Sequence, residues 1–187
     1  LDALPDNGTV VGMAGDAPLI RAETIQSLRT AHGDVEVTVL TARLDDAAGY
    51  GRLVRDGSDA PVRIVEAREA SPDELAIREI NTGLYCFDIA WLRQVLPTLK
   101  PHAHKQEIYL TDAVEIAASE GRARVMLHTD ASEVLGVNDR FELGCARRVL
   151  QDRIIEAHGR AGVTFIDPRT TVVEHDVEIG EDVQVDG

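Results

Sequence analysis

The chain has 187 residues, 44% of them apolar but only 4% aromatic, so it can bury one aliphatic core of Val, Leu, Ile and Ala with room for a small appendage. Its formal net charge of -14 argues against a nucleic-acid backbone or an anionic membrane surface as partner, since both select for Lys and Arg. Phosphate ligands stay open, because they need only a local set of donors.

Residues Thr9 to Ala14 read as a buried strand, and Arg21 to His32 as a helix closed by Gly33. Val35 to Thr41 alternates β-branched residues and reads as a second strand. This β-α-β order predicts two parallel neighbouring strands with a right-handed crossover. Arg52 to Arg55 and Val62 to Glu66 flank the turn residues Asp56, Gly57, Ser58 and Asp59, which predicts a hairpin-like pair. Ser71-Pro72-Asp73-Glu74 is a capping box with proline at the first helical position, so a short helix follows. Glu79 to Phe87 reads as a strand, and Asp88 to Leu96 as a helix stopped by Pro97. A loop from Lys100 to Gln106 leads into a helix around Thr111 to Ser119, ended by Gly121, and Val125 to His128 is a strand. From Asp139 to His158 runs a long amphipathic helix with Leu143, Ala146, Leu150, Ile154 and Ala157 at three- and four-residue spacing. Beyond it Val163 to Asp167 is a short strand.

The tail then changes period. Val173, Ile179 and Val185 are six apart, as are Val177 and Val183. A six-residue period matches the hexapeptide of a left-handed β-helix, although ordinary strand alternation also places valines at even offsets. Cys86 and Cys145 lie in apolar contexts without CxxC spacing and read as reduced core thiols of a cytosolic protein. No apolar run is long enough to span a bilayer, and there is no signal-peptide pattern. The chain begins at Leu1 rather than Met, with a strand as its first clear element, which suggests a fragment.

The chemistry concentrates at strand ends. Val10-Val11-Gly12-Met13-Ala14-Gly15-Asp16-Ala17-Pro18 delivers a carboxylate to the carboxyl end of a buried strand, where ligands bind in open α/β sheets. Held between a permissive glycine and a φ-locked proline, Asp16 is placed either to hold a hard cation such as Mg²⁺ or to cap the next helix. Four further clusters set polar residues beside glycines: Gly49-Tyr50-Gly51-Arg52, Ile64-Val65-Glu66, Glu79-Ile80-Asn81-Thr82-Gly83 and Gly136-Val137-Asn138-Asp139-Arg140. Glu66 and Asn81 offer the acceptor and mixed donor–acceptor groups that sugar hydroxyls and an amide require. The neutral carbonyl of Asn138 is a common second Mg²⁺ ligand beside one carboxylate. Taken singly, each also has a structural reading: Asn81 satisfying a turn, Asn138 capping the long helix, Glu66 on a solvated face.

Together with Glu107-Ile108-Tyr109-Leu110-Thr111-Asp112, these clusters occur in the order expected of one family. The chain resembles the bifunctional N-acetylglucosamine-1-phosphate uridylyltransferase / glucosamine-1-phosphate acetyltransferase family over nearly its whole length. Ala161-Gly162-Val163-Thr164 and Asp167-Pro168 fit the junction between its two domains. The resemblance implies an α/β fold: a partial Rossmann-like nucleotidyltransferase domain with a mixed, mostly parallel sheet, then a long helix and the start of a left-handed parallel β-helix. Residues 1–140 would be the later part of the uridylyltransferase domain, 141–166 a linking helix and strand, and 167–187 the first β-helix coils of the acetyltransferase domain.

The resemblance also implies roles. Asp16 and Asn138 would coordinate Mg²⁺ bridging the sugar phosphate and the nucleotide phosphates. Ala14 and Gly15, leading to Asp16, would line the floor near the uridine ribose. The Gly51 backbone, Glu66 and Asn81 would hold N-acetylglucosamine, and residues 107–112 would close the sugar side. The implied reaction makes UDP-N-acetylglucosamine from UTP and N-acetylglucosamine 1-phosphate, for cytoplasmic synthesis of peptidoglycan precursors. The nucleophile is already an anion, so positioning and charge neutralisation carry the catalysis and no side chain is assigned as a nucleophile or general base. Acetyl-CoA would be a partner only of the full-length protein, which would form a homotrimer once its β-helix is complete.

Two departures stand out. The loop before Glu107 reads His102-Ala103-His104-Lys105-Gln106 where the family carries an Asn-Ala-Gln type sequence, and the signature Asn-Asn-Arg is here Asn138-Asp139-Arg140. The two histidines are read as solvated rather than as a metal pair, and Asp139 as a carboxylate facing solvent or favouring the helix N-terminus. The family's Gly-rich, Arg- and Lys-bearing nucleotide loop does not occur before Asp16, and Leu1 would fall well inside the first domain. The chain alone is therefore expected to be inactive. Alternatives are another sugar-1-phosphate nucleotidyltransferase, such as a thymidylyltransferase, or a non-catalytic piece that only binds a sugar nucleotide.

Overall fold

The structure, a computed structural model, describes residues 3–47, 49–102 and 107–186. In chain order the strands are β1 (Thr9–Met13), β2 (Val37–Arg43), β3 (Arg52–Arg55), β4 (Pro61–Val65), β5 (Glu79–Asp88), β6 (Ala123–His128), β7 (Thr164–Phe165) and β8 (Gln184–Val185). The α-helices are α1 (Ala22–His32), α2 (Pro72–Leu75), α3 (Ile89–Val95), α4 (Thr111–Ser119) and α5 (Arg140–Arg160). Contacts divide the chain into two units, one built from residues up to Gly15 and from Ile20 to Val134, the other from Asp16–Leu19 and from Leu135 onward.

The first unit is a sheet in the order β4-β3-β5-β2-β6, with β1 also paired to β5. β5 is its axis. One edge of β5 pairs along β2, and the other is shared, with β3 meeting Ile80 and β1 meeting Leu84 to Asp88. The expected adjacency of β1 and β2 is therefore corrected: β5 runs antiparallel between them. The expected mostly parallel sheet is corrected too. Among the described residues only β2–β6 is a parallel pair in this sheet, because β3–β4 is a hairpin and β5 opposes each strand it touches.

Strand alternation sends odd positions to one face and even positions to the other. Val37, Val39, Tyr85 and Phe87 pack with Trp91, Leu92 and Val95 of α3 and Ala113, Val114 and Ala117 of α4. Leu40, Ala42, Ile80, Leu84 and Cys86 pack with Leu28 of α1 and Val134. The second layer is aliphatic as expected, but the first concentrates the scarce aromatics. Tyr85 and Phe87 stack at 5.5 Å, and fully burying a side chain the size of Phe87 contributes about 2 kcal/mol.

Several local signals are realised as read. Gly33 ends α1 at φ 61° and Gly121 follows α4 at φ 68°. Ser71 and Glu74 form the reciprocal capping box of α2. Pro97 sits in a 3₁₀ turn that takes over from α3. Other features are non-local. The N-terminus of α1 is capped by Glu133, 112 residues away, whose carboxylate accepts from the Arg21 amide at 3.1 Å and from the Thr24 hydroxyl at 2.6 Å.

In the second unit α5 carries its buried side on Ala146, Gln151 and Ile155, while Leu143 and Leu150 of the expected apolar stripe are exposed. The reason is a polar one: the Gln151 carboxamide donates to the Val173 carbonyl and accepts from the Val173 amide, both at 2.9 Å and buried. Asp139, not Asn138, caps the helix, accepting from the Glu142 amide at 2.8 Å. Cys145 lies exposed on this helix, which corrects its reading as a core thiol, whereas Cys86 is buried. β7 and β8 pair in parallel across twenty residues of chain, Thr164 with Gln184 and Phe165 with Val185. In that span Val173 is buried and Ile179 and Val185 are half-buried, while Val177 and Val183 are exposed.

Candidate functional site

The site begins with a fault in the sheet. Between the pairs Thr41–Asn81 and Val39–Tyr85, β2 has one residue, Leu40, where β5 has three, Thr82 to Leu84. The Thr82 hydroxyl donates to the Leu40 carbonyl at 2.8 Å, so the irregularity leaves that acceptor satisfied. Gly83 absorbs the extra length at φ 75°. On the opposite edge this is where β3 gives way to β1: the Ala14 amide donates to the Gly83 carbonyl at 3.1 Å, and the Asn81 amide donates to the Gly51 carbonyl at 2.9 Å. A Cβ on Gly83 would lie 3.0 Å from that of Ala14. Gly83→Ala is accordingly expected to lower stability by about 1–2 kcal/mol from the left-handed backbone alone, which chemical denaturation measures; an unchanged midpoint would refute the strain.

The fork opens into a cleft of about 460 Å³ lined by Gly12, Met13, Ala14, Glu66, Asn81, Gly83, Tyr85 and Ile108 to Thr111. Asn81 is set in place from both ends, its Oδ1 accepting from the Gly83 amide at 3.1 Å and its Nδ2 donating to the Tyr85 hydroxyl at 2.6 Å. One Nδ2–H and one oxygen lone pair remain for a ligand. Burial pushes the Tyr85 phenol far above its ordinary range, so it stays a neutral partner for Asn81. Burial likewise raises the Glu66 carboxyl; a 3.4 Å hydrogen bond from the Thr111 hydroxyl opposes this, and the charges of Glu69 and Asp112 add to it. The walls thus combine an acceptor, an amide and apolar or aromatic surface, the composition that suits a small polyhydroxylated ligand.

Of the residues expected at the sugar, Glu66 and Asn81 meet in this cleft, and Ala14, expected near the uridine ribose, lines it with them. Gly51 stands behind it, buried, with its carbonyl on Asn81 and only tight space for a Cβ, which would lie 3.1 Å from Ile64 Cγ2. Gly15 is exposed and takes no part in the lining. In the second unit the Val137 amide donates to the Asp16 carbonyl at 2.8 Å, so the backbone brings Asp16 beside the residue preceding Asn138. Both side chains are exposed and take no hydrogen bond or ion pair among the described residues. One carboxylate and one carboxamide oxygen are a donor set that fits Mg²⁺, which keeps waters and substrate phosphates as its other ligands. Among the described residues no group of three or more His, Cys, Asp or Glu is arranged to hold a metal ion without such help.

Sequence reasoning missed Tyr85, although its place four residues after Asn81 puts both on one face of a strand. It also misread His102. That ring is half-exposed but partnered: Nε2 lies 2.9 Å from Asp112 and Nδ1 3.4 Å from Glu69, with Tyr109 at 4.5 Å between centroids. His104 lies outside the described residues.

The chain is 45% identical over 188 residues to the bifunctional protein GlmU of Mycobacterium sp. (strain KMS), 46% over 190 residues to that of Mycolicibacterium smegmatis, and 44% over 177 residues to that of Clostridium botulinum. These alignments take in 99%, 99% and 94% of the chain, but 38%, 39% and 39% of the relatives, so it spans well under half their length. No family model matches. A solved structure of a putative glucose-1-phosphate thymidylyltransferase from Bacillus anthracis, in complex with a sucrose, superposes with a TM-score of 0.58 at 18% identity, covering 78% of this chain and 55% of that one. That likeness shows a Rossmann-like nucleotidyltransferase fold with a mixed sheet. No helix among the described residues is long and apolar enough to cross a membrane.

Proposed function

This chain is a homologue of a segment of the GlmU proteins, and we propose that it supplies the sugar-phosphate side of an N-acetylglucosamine-1-phosphate uridylyltransferase. The observation that carries this reading is the cleft in which Glu66 and Asn81 face a shared space with Ala14 and the Tyr109 segment. Asn81, its orientation set by Gly83 and Tyr85, meets the acetamido group with its remaining donor and acceptor, and Glu66 accepts from sugar hydroxyls. Asp16 and Asn138 would hold the Mg²⁺ of the same reaction. When bound there, the cation supplies neutralisation of phosphate charge. The protein residues bind and orient; the phosphate oxygen of the sugar attacks the α-phosphorus of UTP in line and pyrophosphate leaves.

In the intact protein we assign residues 1–140 to the uridylyltransferase domain, 141–166 to a linker and 167–187 to the opening coils of a left-handed β-helix. The parallel β7–β8 pair twenty residues apart and the inward set Val173, Ile179 and Val185 support the last assignment. The same reading places the protein in the cytoplasm, as a trimer carrying a CoA-dependent acetyltransferase that serves cell-wall precursor synthesis.

Calorimetric titration of UDP-N-acetylglucosamine, with and without Mg²⁺, tests the proposal. Binding is expected, tightened by Mg²⁺, and the Mg²⁺-dependent increment is expected to vanish in Asp16→Ala while the metal-free affinity stays. No heat at millimolar ligand would sink the sugar site for this chain. An increment that survives the substitution would remove Asp16 from the metal.

A further inference from the structure

The segment that walls one side of the cleft, Ile108 to Thr111, leads into α4, and the residue before it is held by His102, whose amide donates to the Glu107 carbonyl at 2.8 Å. The His102 side chain makes a second closure. It lies between Glu69, in the turn that follows Glu66, and Asp112, in the first turn of α4, with its ring against Tyr109. Glu66 and Thr111, the hydrogen-bonded pair in the cleft, stand three residues before Glu69 and one before Asp112. One imidazole thus ties together the two stretches of chain that carry the cleft's acid wall. Nε2 hydrogen-bonds Asp112, whereas Nδ1 faces Glu69 as a charge contact; a neutral ring donating to Asp112 turns a lone pair toward Glu69, so only imidazolium attracts both carboxylates.

We propose that His102 is a positioning residue of the sugar cleft, whose imidazolium clamps Glu69 to Asp112 and so holds the Tyr109 wall against Glu66. The inference rests on the reading of this cleft as the sugar site. The charged groups acting on the His102 ring are Glu69 from the turn after β4 and Asp112 and Glu115 from α4, with the Tyr109 ring packed against it and the Glu107 backbone carbonyl on its amide. The hydrogen bond to Asp112 leads in raising the imidazole above 6.5; burial, the next effect in size, opposes it, and the charges of Asp112, Glu69 and Glu115 add to the rise. The sign follows: a raised histidine keeps the clamp fully closed below 6.5 and opens it as pH rises through the folded value. Glu66 acts in the opposite sense, losing its accepting carboxylate on the acid side, so affinity for the sugar is expected to be bell-shaped in pH.

Two measurements on the whole chain test this. The first needs no ligand: the His102 ring is followed by NMR titration while hydrogen exchange reads the amides of 107–111. Those amides are expected to lose protection over the same pH interval in which the ring titrates, and His102→Gln is expected to abolish that pH step. Protection that does not follow the ring, or a ring titrating at or below 6.5, overturns the clamp. The second is calorimetry with N-acetylglucosamine 1-phosphate across pH. The wild type is expected to lose roughly threefold to fivefold in affinity along the alkaline limb, the scale of a partly exposed ion-pair cluster. His102→Gln should show that lower affinity throughout, with the acid limb of Glu66 kept. An unchanged alkaline limb in the variant overturns the proposal. A clamp seen by exchange in a chain that takes up no sugar phosphate overturns the sugar-site reading, and with it the assigned role, while the pH-dependent closure itself stands.

Discussion

Asn81→Ala is expected to weaken binding of N-acetylglucosamine 1-phosphate by about 10- to 100-fold, because a polar ligand group matched to a half-buried partner in the cleft loses that partner outright. The substitution removes more than a ligand contact. It withdraws the donor that holds the Tyr85 hydroxyl at 2.6 Å and the acceptor of the Gly83 amide at 3.1 Å, so the fork between β3 and β1 loses its internal brace. Affinity for a nucleotide lacking the sugar should be unchanged. Asn81→Asp separates the two contributions: its carboxylate still accepts from Gly83 but offers no N–H to the acetamido carbonyl or to Tyr85. If alanine lowers sugar and bare-nucleotide binding equally, Asn81 is a structural brace and not a sugar residue.

A larger effect on stability is expected at the far end of the same strand. The Glu79 carboxylate, 6% exposed, accepts from the Thr41 hydroxyl at 2.7 Å and takes Arg55 in two bonds, Nε at 3.0 Å and Nη2 at 2.7 Å. This cluster joins β2, β3 and β5 where the hairpin meets the sheet. Burial pushes the carboxyl up, but the bonds from Arg55 and Thr41 together outweigh it and hold it below its ordinary value of 4.5. Glu79→Gln keeps the shape and leaves the Arg55 charge without its carboxylate, at an expected cost of about 3 kcal/mol. At a chain of this size that lowers Tm by roughly 6–12 °C. A depressed carboxyl contributes its stability above the unfolded pKa and loses it as pH falls through the folded one. The gap between wild type and variant, measured by thermal unfolding, is therefore expected to be constant near neutrality and to close below about pH 4.5. A gap that persists unchanged into strong acid would mean that packing, and not charge, holds the hairpin.

Much of the local structure was legible because its causes are local. Ser71, Pro72 and Glu74 carry a complete helix start within four residues; Gly33 and Gly121 end helices by adopting backbone that other residues resist. The strand runs of β1, β3, β5 and β6 announce themselves by composition. The candidate site residues were nominated differently. Each taken singly also had a structural use, as Asn81 shows by accepting from the Gly83 amide, and only their recurrence beside glycines at strand ends and the ordered motifs of the resemblance pointed to a site. Glu66, Asn81 and Ala14 do share a cleft, and Asp16 and Asn138 are joined through Val137.

What escaped is pairing. Period and propensity describe how each segment meets water, and they say nothing of which segment lies beside it. Hence β5 was not foreseen between β1 and β2, and the sheet was expected to be mostly parallel. The exposed stripe of α5 failed for the same reason: spacing marks an apolar face, but the backbone of Val173 selected Gln151. His102 is the sharpest case. Its sequence neighbours are polar and suggest solvent, yet Glu69, thirty-three residues upstream, and Asp112 close around it. Charge pairs between segments distant in the chain form only once the sheet has placed them, so the order of residues is enough to nominate the chemistry here, and the folded sheet is needed to say which groups hold it in position.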